Sequence, residues 1–285
     1  MNWKKYSSQT KIFSFLILFA LASNLSSDIE DNIALHKEQF SEVALKIWEY
    51  AELGYQETKS SNLLASELEK EGFKITKGVA GIPTAFVAEF GSSGPVIGIL
   101  GEFDALPGLA QTNSPFKEVA INDSGGGHAC GHHLFGAASA WAAVSIKEWL
   151  VENDIEGTVR FYGTPAEEGG SGKVYMVREG LFDDVDVVLH WHPDDVNSAN
   201  PKTSNSNKSA KFTFKGISAH AAGSPELGRS ALDGVEAMNM MVNLMREHIP
   251  QESRMHYVIT KGGLAPNVVP DLAEVYYYVR HPEMK

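Results

Sequence analysis

Short apolar runs, closed off by glycine or proline, alternate with helical stretches through much of this chain. That alternation restricts the available folds more than any other feature. Thr84 to Phe90, Val96 to Leu100, Thr158 to Tyr162 and Val185 to Trp191 have the length and texture of buried strands. In Ile29 to Tyr50, the residues Ile33, Phe40, Val43, Ile47 and Tyr50 recur at spacings near 3.6, which predicts a helix. Ser60 to Glu71 reads as a second helix, closed by Gly72 in a left-handed cap. Leu134 to Leu150 is a strongly apolar helix, and Val174 to Arg178 lies in a short one. Strands and helices in this order predict an α/β fold: a three-layer αβα domain over residues 29–203, built on a largely parallel sheet.

Asn197 to Ser209 interrupts the pattern with Asn, Ser, Lys and Pro, as a crossing between domains would. From residue 204 to 285 the order is strand (Lys211 to Lys215), helix (Ser230 to His248), strand (His256 to Lys261), strand (Ala273 to Arg280). Leu232, Val235, Met238, Val242 and Met245 share one face of that helix. This is a ferredoxin-like α+β unit, incomplete because closing it takes another helix and strand.

At the N-terminus, Lys4, Lys5 and Lys11 precede the apolar run Ile12 to Ala22, which ends in Ala20-Leu21-Ala22. A basic head, a short apolar stretch and a small-x-small exit predict a signal peptide over 1–22 and export to a periplasmic or extracellular space. Eleven residues are short for crossing a bilayer, so no stable membrane insertion is expected. The formal charge is −12, and removing the segment leaves 21 basic residues facing 36 acidic ones. Nucleic acid is therefore excluded as a partner, since phosphate binding needs a concentrated positive surface. The single cysteine, Cys130, rules out an internal disulfide.

Four clusters carry chemistry. Gly127-His128-Ala129-Cys130-Gly131-His132-His133 opens the apolar helix, and a thiolate with an imidazole two residues away can reach one divalent ion. Thr164-Pro165-Ala166-Glu167-Glu168-Gly169-Gly170 follows a strand, where ligand sites of α/β sheets gather. Of two adjacent carboxylates, one can bind metal while its neighbour takes a proton from water, although a solvated loop pair is the simpler reading of that cluster alone. His190-Trp191-His192-Pro193 lies at another strand end; its two histidines are expected to point to opposite faces, so that at most one lines a given pocket. In Gly101-Glu102-Phe103-Asp104-Ala105-Leu106-Pro107, Asp104 could orient a ligand histidine through a hydrogen bond. Gly169-Gly170-Ser171-Gly172-Lys173 is not a phosphate loop, because Val174 stands where Ser or Thr would hold magnesium.

GEFDALPGLAQ, GHACGHH, RFYGTPAEEGGSGKVYMVREGLFDDVD and HWHP, with FKGISAHAAGSPELGRSALD and PNVVPDLAEVYYYVRHPEM, resemble the aminoacylase and carboxypeptidase-type metallohydrolases. The likeness runs from about Ile29 to the end and is strongest to the p-aminobenzoyl-glutamate hydrolase-like branch. It implies two divalent ions, Mn²⁺ or Zn²⁺, with Cys130, His132, Glu168 and His192 as ligands, Glu167 as general base and Asp104 in support. It leaves His190 either supporting the ligands from behind or structural, and leaves Glu102 open, because related peptidases place a metal-binding histidine there. It makes the second domain a lid that dimerises, with His220 reaching across to polarise the scissile carbonyl. On the residues alone, a histidine capping a strand turn is an equal reading of His220. Asn267 and Arg280 match positions that hold a substrate carboxylate, which suits a guanidinium fork. The implied reaction is hydrolysis of the amide bond of an N-acyl or aminobenzoyl amino acid, a small-molecule substrate. The rivals are an aminopeptidase or dipeptidase on the same scaffold, or an inactive metal-binding, dimerising fragment. The resemblance also implies a further histidine ligand from a C-terminal segment absent here, so this chain is expected to be a fragment with an incomplete metal site.

Overall fold

The computed structural model describes residues 30–122, 124–199 and 203–283; the expected signal peptide lies outside them. The chain divides into two compact units, one ending at Val196 and one beginning at Asn197. Among the described residues no helix is long and apolar enough to cross a membrane.

The first unit is a layered α/β structure. Its helices are α1 (Lys37–Tyr50), α2 (Thr58–Lys70), α3 (His132–Glu152) and α4 (Gly172–Arg178). Residues 30–35 are also helical, and a turn at His36 separates them from α1. The strands are β1 (Lys74–Lys77), β2 (Phe86–Phe90), β3 (Val96–Gly101), β6 (Thr158–Gly163) and β7 (Val187–Leu189), with a two-residue pair, β4 (Leu106–Pro107) and β5 (Gly126–Gly127). The five-stranded sheet has the order β1-β2-β6-β3-β7. β3 runs parallel to both β6 and β7, whereas β2 is antiparallel to its neighbours β1 and β6. Only β2 is therefore reversed, and the sheet is mostly parallel. β1 and the β4–β5 pair have no counterpart in the sequence reading, and β7 is shorter than the run from Val185 to Trp191.

Alternation along the strands builds two cores, because successive side chains leave a strand on opposite faces. Phe86, Ala88, Ile99, Val159 and Phe161 pack under α1, α2 and α3, against Phe40, Ile47, Leu64, Leu68 and Val144. On the other face Leu100 and Tyr162 meet Phe135 and Met176 of α4, with Leu181 and Phe182 beside them. The sheet thus lies between helical layers, and β3, β6 and β7 finish side by side. Their C-terminal ends release three of the four clusters singled out above at one edge.

In the second unit β8 (Ser206–Lys215), β9 (Arg254–Lys261) and β10 (Leu272–His281) form an antiparallel sheet of order β8-β10-β9. β8 begins inside the stretch read as a crossing. α5 (Ala231–Met245) starts at Ser230, whose Oγ accepts from the Asp233 N–H at 3.1 Å. A 3₁₀ turn, Arg246–His248, follows α5. Val235 and Ala231 pack on Ala273, Val275 and Tyr277, covering one face of the sheet. Strand, helix, strand, strand in this order is the ferredoxin-like half-unit.

Candidate metal centre

Backbone geometry brings the cysteine loop to the strand ends. Gly131 stands immediately before α3 with φ of 78°, the left-handed region that glycine tolerates best. A Cβ there would lie 2.9 Å from Pro193 Cγ, so the His-Pro turn is seated directly on this glycine. The consequence is that Cys130 Sγ and His192 Nε2 are 3.3 Å apart. One turn into α3, a Cβ on Gly136 would sit 2.6 Å from the Glu102 carbonyl, so the helix approaches the end of β3 as closely as its backbone permits.

His132 is fully buried at the centre. Its Nδ1–H donates to the main-chain oxygen and the Oδ1 of Asp104, both at 3.0 Å. That bond fixes the ring and turns Nε2 inward, as expected where a carboxylate orients a metal-binding histidine. Nε2 lies 3.0 Å from Glu102 Oε2 and 3.9 Å from Glu167 Oε2. His132 Nε2 and Glu102 Oε2 face each other as an ion pair, and among the described residues neither buried atom makes a hydrogen bond. The other oxygen of Asp104, Oδ2, accepts from the Glu168 N–H at 2.8 Å and holds the acidic turn beneath the histidine.

The acids create a demand for positive charge. Burial works to raise the Glu102 carboxyl, but His132, His190 and Lys173 outweigh it and hold it well below the usual carboxylate range. Lys173 bonds Glu102 Oε1 from α4. His132 shifts the other way: burial opposes its charge, but Asp104 and Glu102 prevail and push it up. Burial, with Glu168, Glu167 and Glu102 nearby, pushes the Cys130 thiol up to about 12. A divalent cation meets all three conditions, since it binds thiolate and neutral imidazole and neutralises carboxylates. The donor atoms of Cys130, His132 and His192 lie within 4.8 Å of one another, as do those of Glu102, His132 and Glu167. Two buried orphan atoms facing each other beside a thiol, imidazoles and carboxylates fit a metal site, and the mixed donors admit zinc or manganese.

The structure therefore brings together Cys130, His132, Glu167, Glu168, His192 and Asp104. It also corrects one expectation. Both histidines of the His-Trp-His turn face this pocket: His190 Nε2 is 3.7 Å from Glu102 Oε1, and the rings of His190 and His192 pack on Phe135 with centroids 5.0 and 6.1 Å away. Residues two apart in extended chain share a side, so these histidines cannot point to opposite faces. The rings of His128 and His133 lie against each other, with centroids 5.1 Å apart. Burial pushes both down to about 4, and His128 Nε2 bonds the Ile47 carbonyl at 3.0 Å.

His220, Asn267 and Arg280 belong to the second unit. His220 pairs with Val268 in a β-bridge, and the Ala221 N–H donates to the Asn267 carbonyl at 3.1 Å. His220 Nδ1 accepts from the Ala222 and Gly223 N–H groups at 3.2 and 2.9 Å, so it does cap a turn. Arg280 lies near the far end of β10, paired with Asn207 and Arg254. Asn267 precedes that strand, which runs eight residues from Leu272 to Arg280, about 26 Å at about 3.3 Å per residue.

Sequence reasoning missed Glu57 and left Glu102 and Lys173 without roles. Glu57 is fully buried, accepting from the Ala166 N–H at 2.7 Å and from Thr84 Oγ1 at 3.0 Å. It pins Ala166, a non-glycine residue at φ 55°, directly before Glu167. Nothing in Tyr55-Gln56-Glu57-Thr58 separates this acid from a surface one.

The profile of peptidase family M20/M25/M40 matches residues 98–273, which hold every residue of this cluster. The chain belongs to that family. A p-aminobenzoyl-glutamate hydrolase component from Escherichia coli (strain K12) is 48% identical over 257 residues, covering 90% of this chain and 53% of that protein. The Xaa-Arg dipeptidase of Mus musculus is 32% identical over 261 residues, covering 87% and 56%. Among solved M20 structures, a dinuclear metal-binding peptidase from Bacillus subtilis superposes with a TM-score of 0.55 at 25% identity, covering 88% of this chain and 65% of that one. The chain thus spans a little over half the length of these curated M20 relatives.

Proposed function

We propose that the protein hydrolyses the amide bond of an N-acyl or aminobenzoyl amino acid of the p-aminobenzoyl-glutamate type, releasing the free amino acid. The observation that carries this reading is the placement of Glu167, whose Oε2 stands 3.9 Å from His132 Nε2 while its side chain is 46% exposed. It borders the donor cluster and is open to an incoming substrate. Cys130, His132, Glu168 and His192 would hold two divalent ions, zinc or manganese, and Glu102 adds an acid to the cluster. When bound, such ions supply Lewis acidity, making a water more acidic and a carbonyl more electrophilic. Glu167 takes a proton from water as its oxygen bonds to the amide carbon. It returns that proton to the nitrogen as the carbon–nitrogen bond breaks. Asp104 keeps His132 and the acidic turn in register throughout. Turnover by Glu167→Gln is expected to fall at least about a hundredfold with metal content unchanged, read by release of the free amine and by elemental analysis. Retained turnover overturns the assignment.

In the same reading the second unit is a lid through which two copies associate, His220 polarises the scissile carbonyl, and Asn267 and Arg280 hold the substrate carboxylate. The N-terminal segment would direct export, which N-terminal sequencing of the mature protein tests. The 32% likeness to a dipeptidase favours dipeptide hydrolysis as the second reading. Assaying p-aminobenzoyl-glutamate beside free dipeptides separates the two, and metal content and turnover of these 285 residues beside a longer form test whether they suffice.

A further inference from the structure

Glu102 directly follows β3, is 2% exposed, and has two oxygens in different surroundings. Oε2 faces His132 Nε2 at 3.0 Å and, among the described residues, accepts no hydrogen bond. Oε1 takes the Lys173 ammonium, with His190 Nε2 at 3.7 Å on the same side. Lys173 belongs to the first turn of α4, and the start of that helix is seated on the acidic turn. A Cβ on Gly172 would lie 2.1 Å from the Pro165 carbonyl oxygen, and the Gly172 N–H donates to the Ala166 carbonyl at 3.4 Å. The backbone that sets Glu167 and Glu168 in place therefore sets Lys173 as well. An ammonium so close to a cation site repels the ions that the cluster calls for. Its position is intelligible through the oxygen it holds.

We infer that Lys173 is a positioning residue of the metal centre: by holding Oε1 of Glu102 it leaves Oε2 as the one oxygen this acid presents to an ion at His132. The inference rests on the reading of the cluster as a metal centre and names the residue that limits its coordination. A free carboxylate can turn both oxygens onto one ion. Such a ligand suits Mn²⁺, which favours oxygen donors in six-coordinate surroundings, more than Zn²⁺, which favours sulfur and nitrogen donors in fours. Tethering one oxygen to an ammonium removes that option while keeping the acid. Lys173 thus bears on the balance between the two metals. Affinity rises from manganese to zinc at any site of this kind, so the telling quantity is the change in their ratio when Lys173 is altered.

The test is equilibrium dialysis of the whole 285-residue chain against Zn²⁺ with Mn²⁺ in large excess, the bound metals being counted by elemental analysis. Lys173→Met keeps the length of the stem and removes the charge. It should raise the bound manganese-to-zinc ratio about tenfold, the scale on which partners of metal-binding residues act. Lys173→Arg still occupies the acid and should not raise the ratio. Should the methionine variant not fold, Lys173→Gln leaves Glu102 a neutral donor, a weaker hold than an ammonium, and should raise the ratio at least about threefold. A purely structural salt bridge would lower the melting temperature of the metal-free variants and leave the ratio alone, and that result overturns the inference. In a Glu102→Gln background the amide has a single oxygen, so Lys173→Met should leave the ratio unchanged; a ratio that still moves assigns Lys173 another route and overturns it too. An unaltered chain that binds neither metal sinks the metal centre and the inference together. Turnover that survives Glu167→Gln would sink the proposed reaction, while a shifted ratio would leave Lys173 in its role.

Discussion

At the scale of single residues, two buried groups away from the donor cluster make distinct demands. Glu57 satisfies the Ala166 N–H and the Thr84 hydroxyl at once, and burial pushes its carboxyl up. Glu57→Leu would leave both donors unpaired, each costing about 1–3 kcal/mol. Denaturant unfolding should therefore show a loss of about 2 kcal/mol or more, with turnover falling as the Glu167 turn loosens; a change under about 0.5 kcal/mol would refute the role. His36 places Nε2 at 2.8 Å from Glu148 and Nδ1 at 3.0 Å from Gln39 Oε1, with Glu71 at 3.9 Å. Two acceptors call for two N–H groups, which only the protonated ring has. Burial opposes that charge, yet Glu148, Gln39 and Glu71 outweigh it and raise the His36 pKa above its ordinary value. A raised folded pKa means the stabilisation is complete below the unfolded value near 6.5 and is lost as pH climbs through the folded one. The melting-temperature gap between the wild-type chain and His36→Gln should then be widest near about pH 6 and narrow toward about pH 8.5. A gap independent of pH would count against a charged His36. Cys130, His132 and His192, whose donor atoms the fold gathers, stood out in the sequence because their residue types are scarce and clustered. Glu57, Glu102 and Lys173 did not, since an acid or lysine chosen for an interior looks in one sequence like those on the surface.

At the scale of elements, the parallel strands were readable from their apolar runs, and α3 and α5 from length and periodicity. β1 was not, because Lys74-Ile75-Thr76-Lys77 buries little and owes its conformation to pairing with β2. The extent of β8 was hidden for a similar reason. Ser206 to Lys211 is polar and mostly exposed, and cross-strand bonds to β10 make it a strand. The join most sensitive to change is Gly131, where α3 begins and Pro193 is seated. Gly131→Ala sets a side chain in the left-handed region and drives it into the proline, at a cost of about 1–3 kcal/mol. A lower melting temperature together with weaker zinc binding is expected, because His192 loses its register with Cys130. A stable variant of unchanged metal affinity would show that the turn adapts freely.

At the scale of the whole molecule, β7 is the edge of the first unit's sheet and, among the described residues, pairs only with β3. Val187, Val188 and Leu189 are 50, 43 and 51% exposed there. An apolar edge with unpaired backbone groups invites pairing with another chain. These 285 residues alone should associate with rising concentration, and Val187→Lys should reduce that association in light scattering. Monomeric behaviour of the unaltered chain at all concentrations would count against it. The division into two units was signalled by the change of texture near Asn197, whereas the openness of β7 was not, since its run of Val and Leu reads as an interior strand. The turn at His220 has a consequence of its own. With the Nδ1 lone pair taken by two main-chain amides, the neutral imidazole must carry its hydrogen on Nε2. The outward edge of that ring can give a proton to a neighbour's lone pair and has none of its own to offer a metal.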